Sequence, residues 1–259
     1  LYYERETSQD LLKEEMKHLN ETYSKFMNLH SSIKRMDSLM IASNCKRMSR
    51  LEIIYTTVAN AVKLLHKMDL DDRIPDELRH YLNADDRNDV IYYCKGDDVS
   101  SRLDKVISEA VLAKDLLDDD SLRDTSEFQL LIRVLDEQTN TDEDGNVTAK
   151  DKSEIKSTSL QNPSDPDATY RSKAGKDNKG YVGNIVEKIG EEGDSLIDDI
   201  QYEQNTHSDS EFCKEYLEQR DDKSEKETMI TDGAYNSVEN QELAKSKNVD
   251  LVCTALTGQ

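Results

Sequence analysis

Two aspartates stand where a carboxylate has chemistry open to it. Asp37 interrupts the apolar run Ile33-Lys-Arg-Met-Asp-Ser-Leu-Met-Ile-Ala42, and an uncompensated carboxylate in a buried strand is costly, so it belongs at the rim or beside a positive group. A metal ion would meet both demands. Asp232 follows the short run Thr228-Met-Ile-Thr231 and precedes Gly233, so a strand there would deliver it at its carboxyl end. The plainer reading of that Asp-Gly pair is a turn. Asp165 and Asp167 are alternates, although Asp-Pro-Asp is itself a good turn former. His207 precedes a helix start, and a lone histidine there is also read as a surface or core residue. Asp209 is accounted for as a first-turn acid favoured by the helix dipole.

A second oxygen-rich pattern lies in Asn140-Thr-Asp-Glu-Asp-Gly-Asn-Val-Thr-Ala-Lys-Asp151. Donors at loop positions 1, 3, 5, 7 and 12, with Gly145 at position 6, approach a calcium-binding loop. Position 1 is Asn, position 12 is the shorter Asp, and Lys152-Ser-Glu-Ile-Lys-Ser157 is a poor exit helix. The stretch therefore reads first as a solvated linker.

The elements that must position these residues follow from periodicity. Gly180-Tyr-Val-Gly-Asn-Ile-Val-Glu187 alternates apolar and polar as a half-buried strand does, and Ser195-Leu-Ile-Asp-Asp-Ile-Gln-Tyr202 repeats the pattern after Glu191-Glu-Gly-Asp194, which predicts a hairpin. Ser208 or Ser210 caps a helix bearing Phe212, Tyr216 and Leu217, and Asn236 or Ser237 caps another through Leu243. Val249-Asp-Leu-Val-Cys253 is a final strand. Upstream, Thr7 or Ser8 opens an amphipathic helix with Leu12, Met16, Leu19, Tyr23 and Phe26 on one side. Leu51, Ile54, Tyr55, Val58, Val62 and Leu65 share one face of a long helix, and Pro75 can open a short one through Leu82. Further helices begin near Ser100 and at Ser126. Thr139 to Leu160 is polar, lacks a period and is expected to be mobile. The parts are thus an amino-terminal helix (1–32), a first strand (33–43), a helical insertion (44–138), a linker (139–160) and the remainder of a core (161–259).

Four separated blocks, Asp37-Ser-Leu-Met-Ile-Ala-Ser-Asn44, Asn162 to Lys176, Asn205-Thr-His-Ser-Asp-Ser210 and Thr231-Asp-Gly-Ala-Tyr235, together resemble bacterial DDE-type insertion-sequence transposases. The resemblance covers about Thr7 to Gly258. It implies a mixed α/β fold with a ribonuclease-H-like core, incomplete, and a large helical insertion between the first and second strands. It implies Asp37 and Asp232 as two of three catalytic carboxylates that share Mg²⁺ or Mn²⁺ and drive cleavage and strand transfer of DNA at transposon ends by in-line displacement. The third, a Glu on a helix after the last strand, has no counterpart before Gln259. The chain then reads as a fragment, with little strand transfer expected from it alone and a homo-oligomer expected at full length.

Charge opposes that reading. The formal net charge is −21 over 259 residues, and phosphate-rich DNA wants a positive surface. Two basic islands soften the objection: from Lys34 to Lys67 seven basic residues face Asp37 and Glu52, and from Arg171 to Lys179 four face Asp177. Lys46, Arg47, Arg50, Arg171, Lys173 and Lys176 are the expected DNA contacts, although such islands are commonly only solvated faces. No run approaches a membrane span, and Leu1-Tyr-Tyr-Glu-Arg-Glu6 is no signal peptide. Cys45, Cys94, Cys213 and Cys253 include no Cys-x-x-Cys pair, which argues against a zinc site and for a reducing cytoplasm. The competing function is a non-enzymatic, acidic, helical interaction protein.

Overall fold

Apolar residues at alternate positions make strands only where a second layer covers them, and the chain supplies that layer twice. The computed structural model describes residues 11–27, 29, 32–93, 98–173, 175–190, 193–221 and 225–254. In chain order the elements are α1 (Leu11–Phe26), β1 (Ile33–Ala42), α2 (Arg50–Lys67), α3 (Asp98–Leu117), α4 (Ser126–Gln138), β2 (Thr139–Thr141), β3 (Val147–Ala149), β4 (Thr169–Lys173), β5 (Lys176–Ile189), β6 (Ser195–Gln204), α5 (Asp209–Glu218), β7 (Glu227–Thr231), α6 (Val238–Ser246) and β8 (Val249–Cys253). The helix cap expected at Thr7 or Ser8, and Cys94, lie outside the described residues. The chain divides into two compact units, 1–41 with 181–259, and 42–180.

The first unit is a mixed α/β layer. Its strands run in the order β6-β5-β1-β7-β8, so the first strand of the chain lies in the middle of the sheet. β5 and β6 form the antiparallel hairpin expected from their alternation, with a bulge between Val186 and Glu187. β1 is parallel to β7, and β7 to β8. Met36, Val182, Val186, Met229 and Leu251 bury against Phe212, Cys213, Tyr216 and Leu217 of α5, Ala244 of α6 and Tyr235. Ile33, Leu39, Ile200, Tyr202 and Val252, on alternate positions of their strands, are exposed.

Buried charge fastens this unit internally. The Lys34 ammonium lies 2.6 Å from Asp198 and 2.8 Å from Glu227 and donates to the Tyr216 hydroxyl at 2.9 Å, while Arg220 meets the same Glu227 at 2.6 Å. Burial pulls the Lys34 pKa down, and Tyr216, Asp198 and Glu227 more than offset it, leaving the amine well above its ordinary range. Burial likewise pushes the Tyr216 phenol up to about 12.

The second unit has its own core. Ser49 caps α2 by accepting from the Glu52 amide, and Leu51, Ile54, Tyr55, Val58, Val62 and Leu65 are buried as their spacing predicts. Val106, Ile107, Ala110, Ala113 and Leu117 of α3 and Phe128, Leu131 and Val134 of α4 close around them. The cap of α4 is Thr125, one residue before the expected Ser126. Thr139 to Leu160 is not structureless: β2 and β3 form an antiparallel hairpin within it. Residues 161–180, grouped from sequence with the later strands, belong to the helical unit. Leu160 is buried in its core, Asn162 Nδ2 donates to the Lys46 carbonyl at 2.9 Å, and β4 pairs with the first five residues of β5. Among the described residues no helix is long and apolar enough to cross a membrane.

Candidate active site

The site is built at the boundary of β1 and β7. Their register pairs Ile33 with Thr228, Lys34 with Met229 and Arg35 with Ile230. Asp37 lies two residues beyond the last of these pairs on β1, and Asp232 follows the last residue of β7. Asp37 is exposed on β1, where its Oδ1 accepts from the Ser38 amide at 2.8 Å. With Arg35, Leu39, Ile185 and Glu187 it lines a shallow cleft of about 140 Å³. Asp232 follows β7 and caps the next turn: its Oδ1 accepts from the Ala234 amide at 2.8 Å. The turn reading and the strand-end reading of this residue therefore hold together.

A ladder of buried polar groups fixes the Gly233–Tyr235 turn against the sheet. Tyr235 donates to Asn184 Oδ1 at 2.8 Å, Asn184 Nδ2 donates to Gln201 Oε1 at 2.6 Å, and Gln201 Nε2 donates to the Phe212 carbonyl at 3.2 Å. Asn240 Nδ2 holds the turn from the other side through the Tyr235 carbonyl at 2.9 Å. Buried side chains satisfied in series specify one arrangement more sharply than apolar packing does. The Tyr235 phenol is pushed well above its ordinary pKa, first by burial and then by the carboxylates of Asp209, Asp37 and Asp232, against a lowering hydrogen bond with Ser38. Three acids from α5, β1 and the end of β7 thus act on one buried hydroxyl.

Asp209 was the residue least visible from sequence. A first-turn acid after the Ser208 cap needs no further explanation, and only the tertiary placement, 4 % exposed and within electrostatic reach of Tyr235, connects it with the other two. His207 is held elsewhere: its ring lies 3.2 Å from Glu215 and rests on Phe212 at 4.4 Å. Among the described residues no group of three or more His, Cys, Asp or Glu side chains is arranged to hold a metal ion. The donors expected from the sequence are the two carboxylates of Asp37 and Asp232. That suits Mg²⁺, which commonly takes one or two protein carboxylates and fills its octahedron with water and substrate phosphate.

The remaining sequence candidates separate by partner. Arg50 spends Nε on Gln138 Oε1 at 2.9 Å and its two Nη atoms on the carbonyls of Lys150 and Gln138 at 2.7 Å, and burial lowers its pKa. It ties α2 to the β2–β3 hairpin. Lys46 pairs with Glu52 at 2.9 Å and lies over the Tyr92 ring at 4.9 Å. Arg47 donates to the Asp177 carbonyl at 3.0 Å, and Arg171, Lys173 and Lys176 lie on the β4–β5 hairpin, Lys173 and Lys176 exposed. Asp165 accepts from Ser43 Oγ, as a turn anchor does. In the calcium-like loop, Asp142 Oδ1 accepts from the amides of Asp144 at 3.0 Å and Asn146 at 2.7 Å, and Oδ2 from Asn146 Nδ2 at 2.8 Å. These bonds, those with Asn146 first, hold the carboxyl below its usual range. The loop's first acid closes a hairpin turn in which Gly145 takes φ 84°.

Compared with protein-family models, with curated proteins and with solved structures, the chain matches none.

Proposed function

We propose that this chain is part of a transposase that cleaves and joins DNA strands, and that Asp37 and Asp232 are two of its metal-binding carboxylates. The reading is supported by one observation: Asp37 on β1 and Asp232 just after the adjacent parallel strand β7 both act electrostatically on the buried Tyr235 hydroxyl. The strand order β6-β5-β1-β7-β8, with the acid-bearing first strand in the middle and helices α5 and α6 after the hairpin, supports a ribonuclease-H-like core interrupted by the helical unit. Bound Mg²⁺ or Mn²⁺ would supply charge for an attacking oxygen and a leaving oxygen at phosphorus. The protein's own contribution is placement. The Tyr235–Asn184–Gln201 ladder anchors the turn that Asp232 caps, and β1 carries Asp37.

Mn²⁺ binding followed by calorimetry or electron paramagnetic resonance tests this directly. The chain should bind the ion, and Asp37→Asn and Asp232→Asn should each weaken binding by about tenfold or more, since each removes one charged ligand. Equal affinity in both variants would remove the basis of the proposal. The setting proposed is the cytoplasm, where Cys45, Cys213 and Cys253, all free thiols here, would stay reduced, and the full-length partner set is DNA ends and further copies of the same protein. The competing reading, an acidic interaction protein, draws on the net charge of −21 and expects no metal dependence.

A further inference from the structure

The hairpin β4–β5 has two chemically different faces. Its register pairs Arg171 with Asn178 and Lys173 with Lys176, and alternates these with the pairs Tyr170–Lys179 and Ser172–Asp177. Directly opposed residues share a face, so one face carries Arg171, Lys173, Lys176 and Asn178 together. The other face is tied down. Tyr170 donates to Asp177 Oδ1 at 2.7 Å, Lys179 Nζ donates to the Met48 carbonyl at 3.1 Å, and the Arg47 guanidinium holds the Asp177 carbonyl. The backbone amide of Tyr170 also bonds the Ser157 carbonyl at 2.9 Å. Gly175 takes φ 73° next to the last pair, Lys173–Lys176.

We infer that the Arg171–Lys173–Lys176–Asn178 face of this ribbon enters the major groove of duplex DNA. The inference rests on the DNA-processing reading above and specifies how DNA is held. Charge complementarity argues first: three cations and no acid share this face in a chain of net charge −21, and such a patch suits a polyanion. Shape argues second. The major groove, about 12 Å wide, admits a two-stranded ribbon, whereas the minor groove of about 6 Å leaves almost no room for side chains around two backbones that stand about 5 Å apart. The deep, narrow major groove of an RNA duplex excludes it. Chemistry argues third, since Arg and Lys donate to guanine edges or phosphates and Asn suits adenine.

The test uses the full chain in EDTA, titrated into a labelled DNA duplex at several salt concentrations. Arg171→Ala, Lys173→Ala and Lys176→Ala combined should weaken binding at least about tenfold and flatten the dependence of log K on log salt by about 2 to 3, one phosphate charge each. A control with equal charge loss, Lys63→Ala, Lys67→Ala and Lys245→Ala, should stay within about twofold and keep its slope. The charge-preserving set Arg171→Lys, Lys173→Arg and Lys176→Arg should bind nearly as the parent, and matching circular dichroism excludes misfolding. No binding by the parent chain, equal losses in ribbon and control sets, or equal affinity for an RNA duplex would each overturn the inference. Asp37→Asn and Asp232→Asn should leave DNA affinity in EDTA intact. Loss of DNA binding only in the ribbon set, with Mn²⁺ binding unaffected by either aspartate change, would sink the metal proposal and keep the ribbon. The reverse pattern would sink the ribbon and keep the metal.

Discussion

Single residues decide whether the first unit holds its arrangement, and Glu227 is the most exposed to test. It is buried between two cations, Lys34 at 2.8 Å and Arg220 at 2.6 Å. Glu227→Ala would leave both charges buried without their shared anion. Breaking a buried pair from one side costs about 3–5 kcal/mol, so urea unfolding should show a loss of that order with an unchanged slope. Replacement by a similar apolar volume on all sides is a different experiment and need not cost stability. The same cluster sets an alkaline limit. Tyr216 is raised from 10.0 to about 12 and Lys34 is also raised. A raised folded pKa gives stability that is whole below the unfolded value and lost as pH climbs through the folded one. Stability should therefore hold to about pH 10 and fall between pH 10 and 12, and Tyr216→Phe should remove part of that fall. A flat stability curve across this window would show the phenol to be unperturbed.

At the scale of elements, helix α5 has the most legible start. Ser208 Oγ accepts from the Glu211 amide, and the Glu211 carboxylate accepts in return from the Ser208 amide at 2.9 Å. Hydrogen bonding from Ser208 holds the Glu211 carboxyl below its usual range. Ser208→Ala should cost about 1 kcal/mol, the usual loss for such a cap, measured as a shift in the denaturation midpoint. Gly190 is a second element-level test. A Cβ there would stand 2.3 Å from Leu29 Cδ2 and 3.3 Å from the Asp194 carbonyl. Leu29 is itself buried, so Gly190→Ala should destabilise the β5–β6 hairpin by about 1–3 kcal/mol. What sequence made readable follows the same logic. β1, β5, β6, β7, β8 and the helices announce themselves because their apolar periods meet a core. β2, β3 and β4 do not: Thr-Asn-Thr, Val-Thr-Ala and Thr-Tyr-Arg-Ser-Lys have little apolar alternation, and the hairpins are held by Asp142 within its own turn and by Arg50 and Tyr170 through polar bonds to distant backbone. Asp37 and Asp232 are singled out by their local runs alone. Asp209 is not, because its nearness to Tyr235 exists only once α5 lies on the sheet.

At the scale of the whole molecule, the chain order matters more than any single contact. The unit 42–180 closes its own apolar core, and its two ends meet: the Ser43 amide donates to the Lys179 carbonyl at 2.9 Å. Expressed alone, 42–180 should give a helical far-ultraviolet spectrum and one cooperative unfolding transition. Strong dye binding without cooperativity would show that its core depends on the rest of the chain. The interruption also has a consequence for synthesis. β1 leaves the ribosome 195 residues (228 − 33) before its parallel neighbour β7. At about 5–20 residues per second, that is a wait of roughly 10–40 s. During this interval the helical unit can complete itself, while an apolar strand carrying Asp37 has no β7 to join. Sequence-distant pairing of this kind is the slow class of folding event. The β1–β7 seam is therefore completed last, and a nascent chain would present β1 without its parallel neighbour.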